Sequence, residues 1–173
     1  MVWPRPILDS GLLEVPAVPP GYELRQFRPG DGAAYNELFH LAFADEDKLD
    51  HTRATALEDG LFVIEHSDSG HLVATCPAQH VENNRHFEGG QLGWLAGDPG
   101  HAGKQLGTIV SAVVANRLVA AGYALPYLQT NDFRYEDIYL SKAGVAAIPV
   151  RRRHGAPLER RVRRDGADAV YDE

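Results

Sequence analysis

At 173 residues the chain is long enough for one domain with a real core. A formal net charge of -7 speaks against a general nucleic-acid binder. The single cysteine, Cys76, excludes an intrachain disulfide and fits a reducing, cytoplasmic setting. No apolar run approaches the ~20 residues of a membrane span, and the amino terminus lacks a signal-peptide core.

Residues 1–20 carry five prolines and read as an extended arm or a loose tail, with Trp3, Ile7, Leu8, Leu12 and Leu13 favouring docking. YELRQFR then alternates apolar and polar, a first strand with Tyr22 and Leu24 facing in and Phe27 a candidate for the same side. RPGDG makes a turn with Asp31 as helix cap. Tyr35, Leu38, Phe39, Ala42 and Phe43 follow at helical spacing. The charged stretch from Asp45 reads as a loop and a second short helix ending near Gly60. LFVIEH and HLVATCPAQ form a hairpin about Ser-Asp-Ser-Gly. After a polar loop, QLGWLAG is strand four. Leu106, Ile109, Val110, Val113, Val114 and Leu118 mark a long amphipathic helix closed by Gly122. ALPYLQT is strand five, DFRYEDIYLSKAG a last helix, and VAAIPV a sixth strand. The order predicts a mixed α/β sheet.

Between strand four and the longest helix stands GDPGHAGKQLGT, Gly97 to Thr108. A nucleotide-triphosphatase loop would need glycine where Asp98 stands and a hydroxyl where Gln105 stands. Gly100, Gly103 and Gly107 do not keep the dinucleotide spacing either. Yet a glycine-rich entry to a helix offers unpaired amides and the positive end of a dipole. From these residues alone the loop is an anion cradle or an ordinary tight turn.

LGWLAGDPGHAGKQLGTIVSAVV, followed by YLQTNDFRYEDIYLSKAG, resembles the GNAT superfamily of acyl-coenzyme A dependent N-acyltransferases. The likeness runs from about Gly21 to Val150, and the element order above is also the GNAT order. The family's motif, Arg/Gln-x-x-Gly-x-Gly/Ala, falls on Ala102, Gly103, Lys104, Gln105, Leu106 and Gly107. Ala102 replaces the usual first residue and Gln105 the first glycine. The resemblance implies a mostly antiparallel mixed sheet flanked by helices and splayed between strands four and five. With the proline-rich start read above and the charged end, the chain divides into an arm (1–20), an acyltransferase domain where the resemblance falls (21–153) and a charged tail (154–173). Amides from Ala102 to Thr108 would hold the coenzyme pyrophosphate, backbone at Leu95, Ala96 and Gly97 the pantetheine and thioester carbonyl, and Asn131 a further coenzyme contact. Acetyl-coenzyme A is the implied donor, and no metal is implied.

Amine acylation needs a neutral amine, a stabilised oxyanion and a proton for the departing thiolate. The family's glutamate base falls on Gln91, which orients a water but cannot itself take the proton. Asp45, Glu46, Asp47, His80 and His101 are the other candidates, each also readable as a surface group. The usual tyrosine acid falls on Leu140. Its neighbour Tyr139 takes that role if the helix end shifts, with Tyr135 a substitute. The expected reaction is acyl transfer to a primary amine of a small molecule or peptide. The competing expectation is a non-catalytic sensor or partner-binding protein on the same fold. The arginines from Arg151 to Arg153 and beyond read as a solvated tail, a phosphate contact, or a dock onto a second subunit of a homodimer.

Overall fold

A computed structural model describes residues 12–43, 49–81, 89–123 and 125–128. Within them, β1 (Tyr22–Gln26) leads through a single 3-10 turn (Pro29–Asp31) to α1 (Gly32–Phe43) and α2 (Leu49–Thr55). β2 (Ala56–His66), β3 (Leu72–Gln79), β4 (Gly89–Leu92) and β5 (Ala96–Gly97) follow. Then come α3 (Leu106–Ala120) and β6 (Leu125–Leu128). The sheet order is β1-β2-β3-β4-β6, with β5 also paired to β3. All pairs are antiparallel except β4 with β6, so the sheet is mixed and mostly antiparallel, as expected. No helix among the described residues is long and apolar enough to cross a membrane.

Two cores form because alternate residues of each strand face opposite helices. On one face Ile64, Ala74, Cys76, Ala78 and Leu92 pack under Ile109, Val110, Val114 and Leu118 of α3. On the other, Leu61, Val63, Leu72 and Ala96 pack under Tyr35, Leu38 and Phe39 of α1. Tyr22 and Leu24 turn to the α3 side, as expected for an inward face. Phe27 packs with the α1 cluster instead. The end of α3 is fixed by Gly122 at φ 90°, which frees Gly122 N–H for Val119 O (2.9 Å) and Tyr123 N–H for Leu118 O (3.1 Å). That paired closure is the glycine stop the sequence predicts.

Three boundaries differ from the sequence expectation. The second helix stops at Thr55, not near Gly60, because β2 starts at Ala56 and carries an irregularity before Leu61. Asp31 does not cap α1. Its carboxylate accepts Arg28 N–H at 2.6 Å within the 3-10 turn and binds Arg25 Nη1 at 2.6 Å. Arg25 also binds Glu65 Oε2 at 2.6 Å, so one side chain, 8% exposed, ties β1 to the turn and to β2. Strand four is two short strands, β4 and β5, separated by Gly93, Trp94 and Leu95.

The arm's second half is docked. Leu13 and Val18 lie against the α3 core. Asn116 of α3 accepts Leu13 N–H at 2.7 Å and donates to Leu13 O at 2.9 Å. Trp3, Ile7 and Leu8, the last predicted helix with Asn131, Tyr135, Tyr139 and Leu140, the sixth strand and the arginine tail all lie outside the described residues. So do Asp45, Glu46 and Asp47, and the chain after Leu128 where the splay is expected.

Candidate active site

The loop into α3 is built around a small turn. Asp98 N–H reaches Val73 O at 2.9 Å, and Asp98 Oδ1 accepts Gly100 N–H at 2.7 Å. Pro99–His101 forms a 3-10 turn, closed by Ala102 N–H to Pro99 O at 3.2 Å. Ala102 thus spends its amide inside the turn. From Gly103 (φ 78°) the chain swings to Gln105 (φ 59°, ψ 18°) and enters the helix. The first bond of α3 is Ile109 N–H to Gln105 O. Among the described residues, the amides of Gly103, Lys104, Gln105, Leu106, Gly107 and Thr108 have no acceptor. Gln105 makes no side-chain cap, and residues 102–105 are exposed. Unpaired amides at the positive end of a helix, entered by an exposed turn, are a setting for an anion.

The second part of the site is the break in strand four. On the β3 side, Gly93 N–H reaches Pro77 O at 2.9 Å, and Ala96 pairs with Thr75. Three steps from Gly93 to Ala96 therefore match two steps from Pro77 to Thr75. That is a β-bulge with one extra residue. Its cause lies across the ladder. Pro77 has no N–H, and the position it would donate toward is this strand. Gly93 O is taken instead by the Cys76 thiol at 3.4 Å. Past the bulge, Asp98 and Ala96 face β3, so Leu95 and Gly97 turn their N–H and C=O groups to the opposite edge. Leu95 N–H has no acceptor among the described residues.

The bulge also shapes the face toward α1. Leu92 and Leu95 pack toward α3, while Gly93 touches Gln79 and Trp94 meets Phe39 and Phe43. Two consecutive residues thus point to one side. The Trp94 ring stands 5.8 Å from Phe39 and 5.9 Å from Phe43, both edge-on, and remains 37% exposed. Beside it runs a polar row. Gln79 pairs with Gln91, and Gln91 with Tyr127, across β3, β4 and β6. Tyr127 OH donates to Gln91 Oε1 at 3.2 Å.

Other expected acid–base groups are placed elsewhere. His80 turns its ring to Tyr123 OH (2.9 Å) beyond the end of α3. His101 binds Tyr22 OH (2.8 Å), 4.9 Å from the His66 ring, at the β1 end of the molecule. Neither ring hydrogen-bonds to Gln91, although His80 directly follows Gln79, the strand partner of Gln91. Burial pushes the Cys76 thiol well up, so it is no nucleophile, and pushes the Tyr35 hydroxyl up to about 12. Among the described residues, no group of three or more His, Cys, Asp or Glu is placed to hold a metal. Sequence reasoning missed Pro77, Gln79, Trp94 and Tyr127. A proline inside an apolar strand was the available signal for the first.

This architecture is the GNAT fold of the GCN5-related N-acetyltransferases. The chain superposes on an acetyltransferase from Trypanosoma brucei with a TM-score of 0.59 at 20% identity, over 78% of this chain and 99% of that one. A GCN5-related N-acetyltransferase from Sphaerobacter thermophilus matches with a TM-score of 0.59 at 22% identity. There 69% of this chain is covered, but only 38% of the longer protein. A GNAT family acetyltransferase from Brucella melitensis, in complex with acetyl-CoA, matches with a TM-score of 0.56 at 19% identity over 73% and 83%. No family model matches the sequence, and no curated protein matches it.

Proposed function

We propose that the protein moves an acetyl or other short acyl group from acyl-coenzyme A to a primary amine by direct attack. One observation carries the reading. The open amides of the α3 loop continue into the bulged strand edge at Leu95 and Gly97. A pyrophosphate needs the first set, and a pantetheine arm with a thioester carbonyl needs the second. Acyl-coenzyme A supplies the activated acyl group when bound. Its berth would be the splay between strands four and five that the resemblance implies.

The chain's own part is orientation and proton handling. Amides Gly103 to Thr108 hold the anion. Leu95 N–H stabilises the developing oxyanion. Gln91, fixed by Tyr127, keeps a second lone pair on Oε1 and a free amide nitrogen for a water that takes the amine proton. As the new C–N bond forms and the C–S bond breaks, Tyr139 gives its proton to the thiolate. Asn131 adds a coenzyme contact. The acceptor approaches over Trp94.

A second reading, a non-catalytic binding protein, is favoured by one feature. Gln105 occupies a left-handed conformation that glycine adopts freely, so part of the cradle's geometry is held at a cost. Thermal unfolding with acetyl-CoA, CoA and ATP separates the readings. A ligand held at ~100 times its dissociation constant adds about 2.7 kcal/mol. A midpoint rise with both coenzyme forms but not ATP, together with thiol release when amines are added, supports transfer. A rise without thiol release across an amine panel supports the binding protein. No rise at millimolar coenzyme refutes the coenzyme site.

A further inference from the structure

Gln79 closes β3 on the face toward α1 and α2, and it is 1% exposed. A buried amide needs partners at its polar atoms. Its Nε2 donates to Thr55 Oγ1, at the end of α2. Thr55 gives its own hydroxyl proton to His51 O at 2.9 Å, so it can only accept from Gln79. The network therefore decides which end of the amide is which. Oε1 points the other way, over Gly93. A Cβ built on Gly93 would lie 1.6 Å from Gln79 Oε1 and 3.1 Å from Pro77 Cγ. The bulge residue is thus enclosed on three sides. Pro77 O takes its N–H, the Cys76 thiol takes up its C=O, and the Gln79 amide covers its Cα.

We infer that Gln79 is a positioning residue: its side chain, anchored through Thr55 to α2, wedges the bulge at Gly93 and so aims Leu95 N–H away from β3. The wedge is needed because a bulge can migrate. One extra residue between β4 and β5 satisfies the pairing on either side wherever it falls. Pro77 removes one donor but leaves that choice open. Gln79 fills the space a shifted chain would occupy. Its consequence for catalysis rests on the acyl-transfer reading above, but its consequence for the strand does not.

The test uses the full chain without ligand first. Amide shifts and exchange rates of Gly93 to Gly97 are compared in the parent, in Gln79→Ala and in Gln79→Met, which restores length without the amide. In Gln79→Ala the Leu95 and Gly97 amides shift and Leu95 changes its exchange rate. The amides of α3 stay in place, and Gln79→Met recovers the parent pattern only in part, because it fills the space over Gly93 without the hydrogen bond to Thr55. Gly93→Ala, pushing the wedge from the other side, displaces the same amides, which keeps the test open if Gln79→Ala does not fold. In transfer assays Gln79→Ala lowers kcat about tenfold or more with the amine KM unchanged. Binding of adenosine 3′-phosphate 5′-diphosphate, which reaches only the loop, is unaltered. Unmoved Leu95 and Gly97 amides in a folded Gln79→Ala chain overturn the proposal. A parent that transfers no acyl group refutes the proposed reaction, while the amide signals still judge the wedge.

Discussion

Gln105 opens α3 at φ 59° and ψ 18°, with no side-chain cap to compensate. For an L-residue this conformation costs about 1–2 kcal/mol relative to the right-handed well. Glycine escapes the clash but loses about 0.5–1 kcal/mol more to chain entropy. The difference gives Gln105→Gly a stabilisation of about 0.5–1 kcal/mol. Nothing lies in the way of the change, since the side chain is exposed and makes no hydrogen bond to the helix start. Asn, which tolerates this region, should fall between Gly and Gln. Val, branched at Cβ, should fall below Gln by about 1 kcal/mol. Urea midpoints at constant slope read the whole series, and the expected order is Gly, Asn, Gln, Val. For a domain of this size the Gly variant gains about 1–4 °C in Tm. Coenzyme affinity in the Gly variant should rise only modestly, because the amides are already turned outward. A Gly variant less stable than the parent, or a Val variant equal to it, would refute the left-handed entry to α3. A large gain in coenzyme binding from almost none would instead identify a degraded site.

Arg25→Met should cost about 3 kcal/mol, because it leaves Asp31 and Glu65 facing each other in a largely enclosed setting. The Arg25 guanidinium, chiefly through its hydrogen bond, holds the Asp31 carboxyl below its ordinary value. That stabilisation is full above the unfolded carboxylate pKa and fades as pH falls through the lower folded value. The acid limb of a stability–pH curve should therefore flatten in Arg25→Met, and an unchanged limb would argue against the pairing. Asn116→Ala should lose about 1–2 kcal/mol by releasing both bonds to Leu13, read as a urea midpoint. Trp94→Ala should raise the acceptor KM several-fold while leaving the coenzyme-induced rise in Tm intact. An altered coenzyme response instead would move Trp94 out of the acceptor side.

The long helix was legible because local signals agree. Its apolar spacing from Leu106 to Leu118 and the Gly122 stop depend on neighbours within a few residues. The β2–β3 hairpin was legible for the same reason. The break at Gly93 was not, because QLGWLAG alternates well enough to pass for one strand. Its cause sits in a different strand, at Pro77, and only the pairing register connects them. The conformation of Gln105 was hidden differently. A glutamine carries no mark of a left-handed backbone, and only the surrounding fold imposes it. Asp31 misled because a carboxylate before a helix usually caps it, whereas here Arg25 and the Arg28 amide compete for it. The loop amides were foreseeable from the glycine-rich entry, but the loss of Ala102 to the Pro99 turn was not.

The Asn116 clasp on Leu13 joins residues 103 positions apart in sequence. Formed on its own, such a link would have to close nearly the whole described chain as one loop. Once β1 is in the sheet, however, Leu13 is tethered only by the short stretch to Tyr22. The clasp should therefore snap shut late in folding and release early in unfolding, ahead of any strand. A probe on the arm would then report on the completed sheet as a whole, and it would do so at the flank of the helix whose front end opens toward the anion cradle.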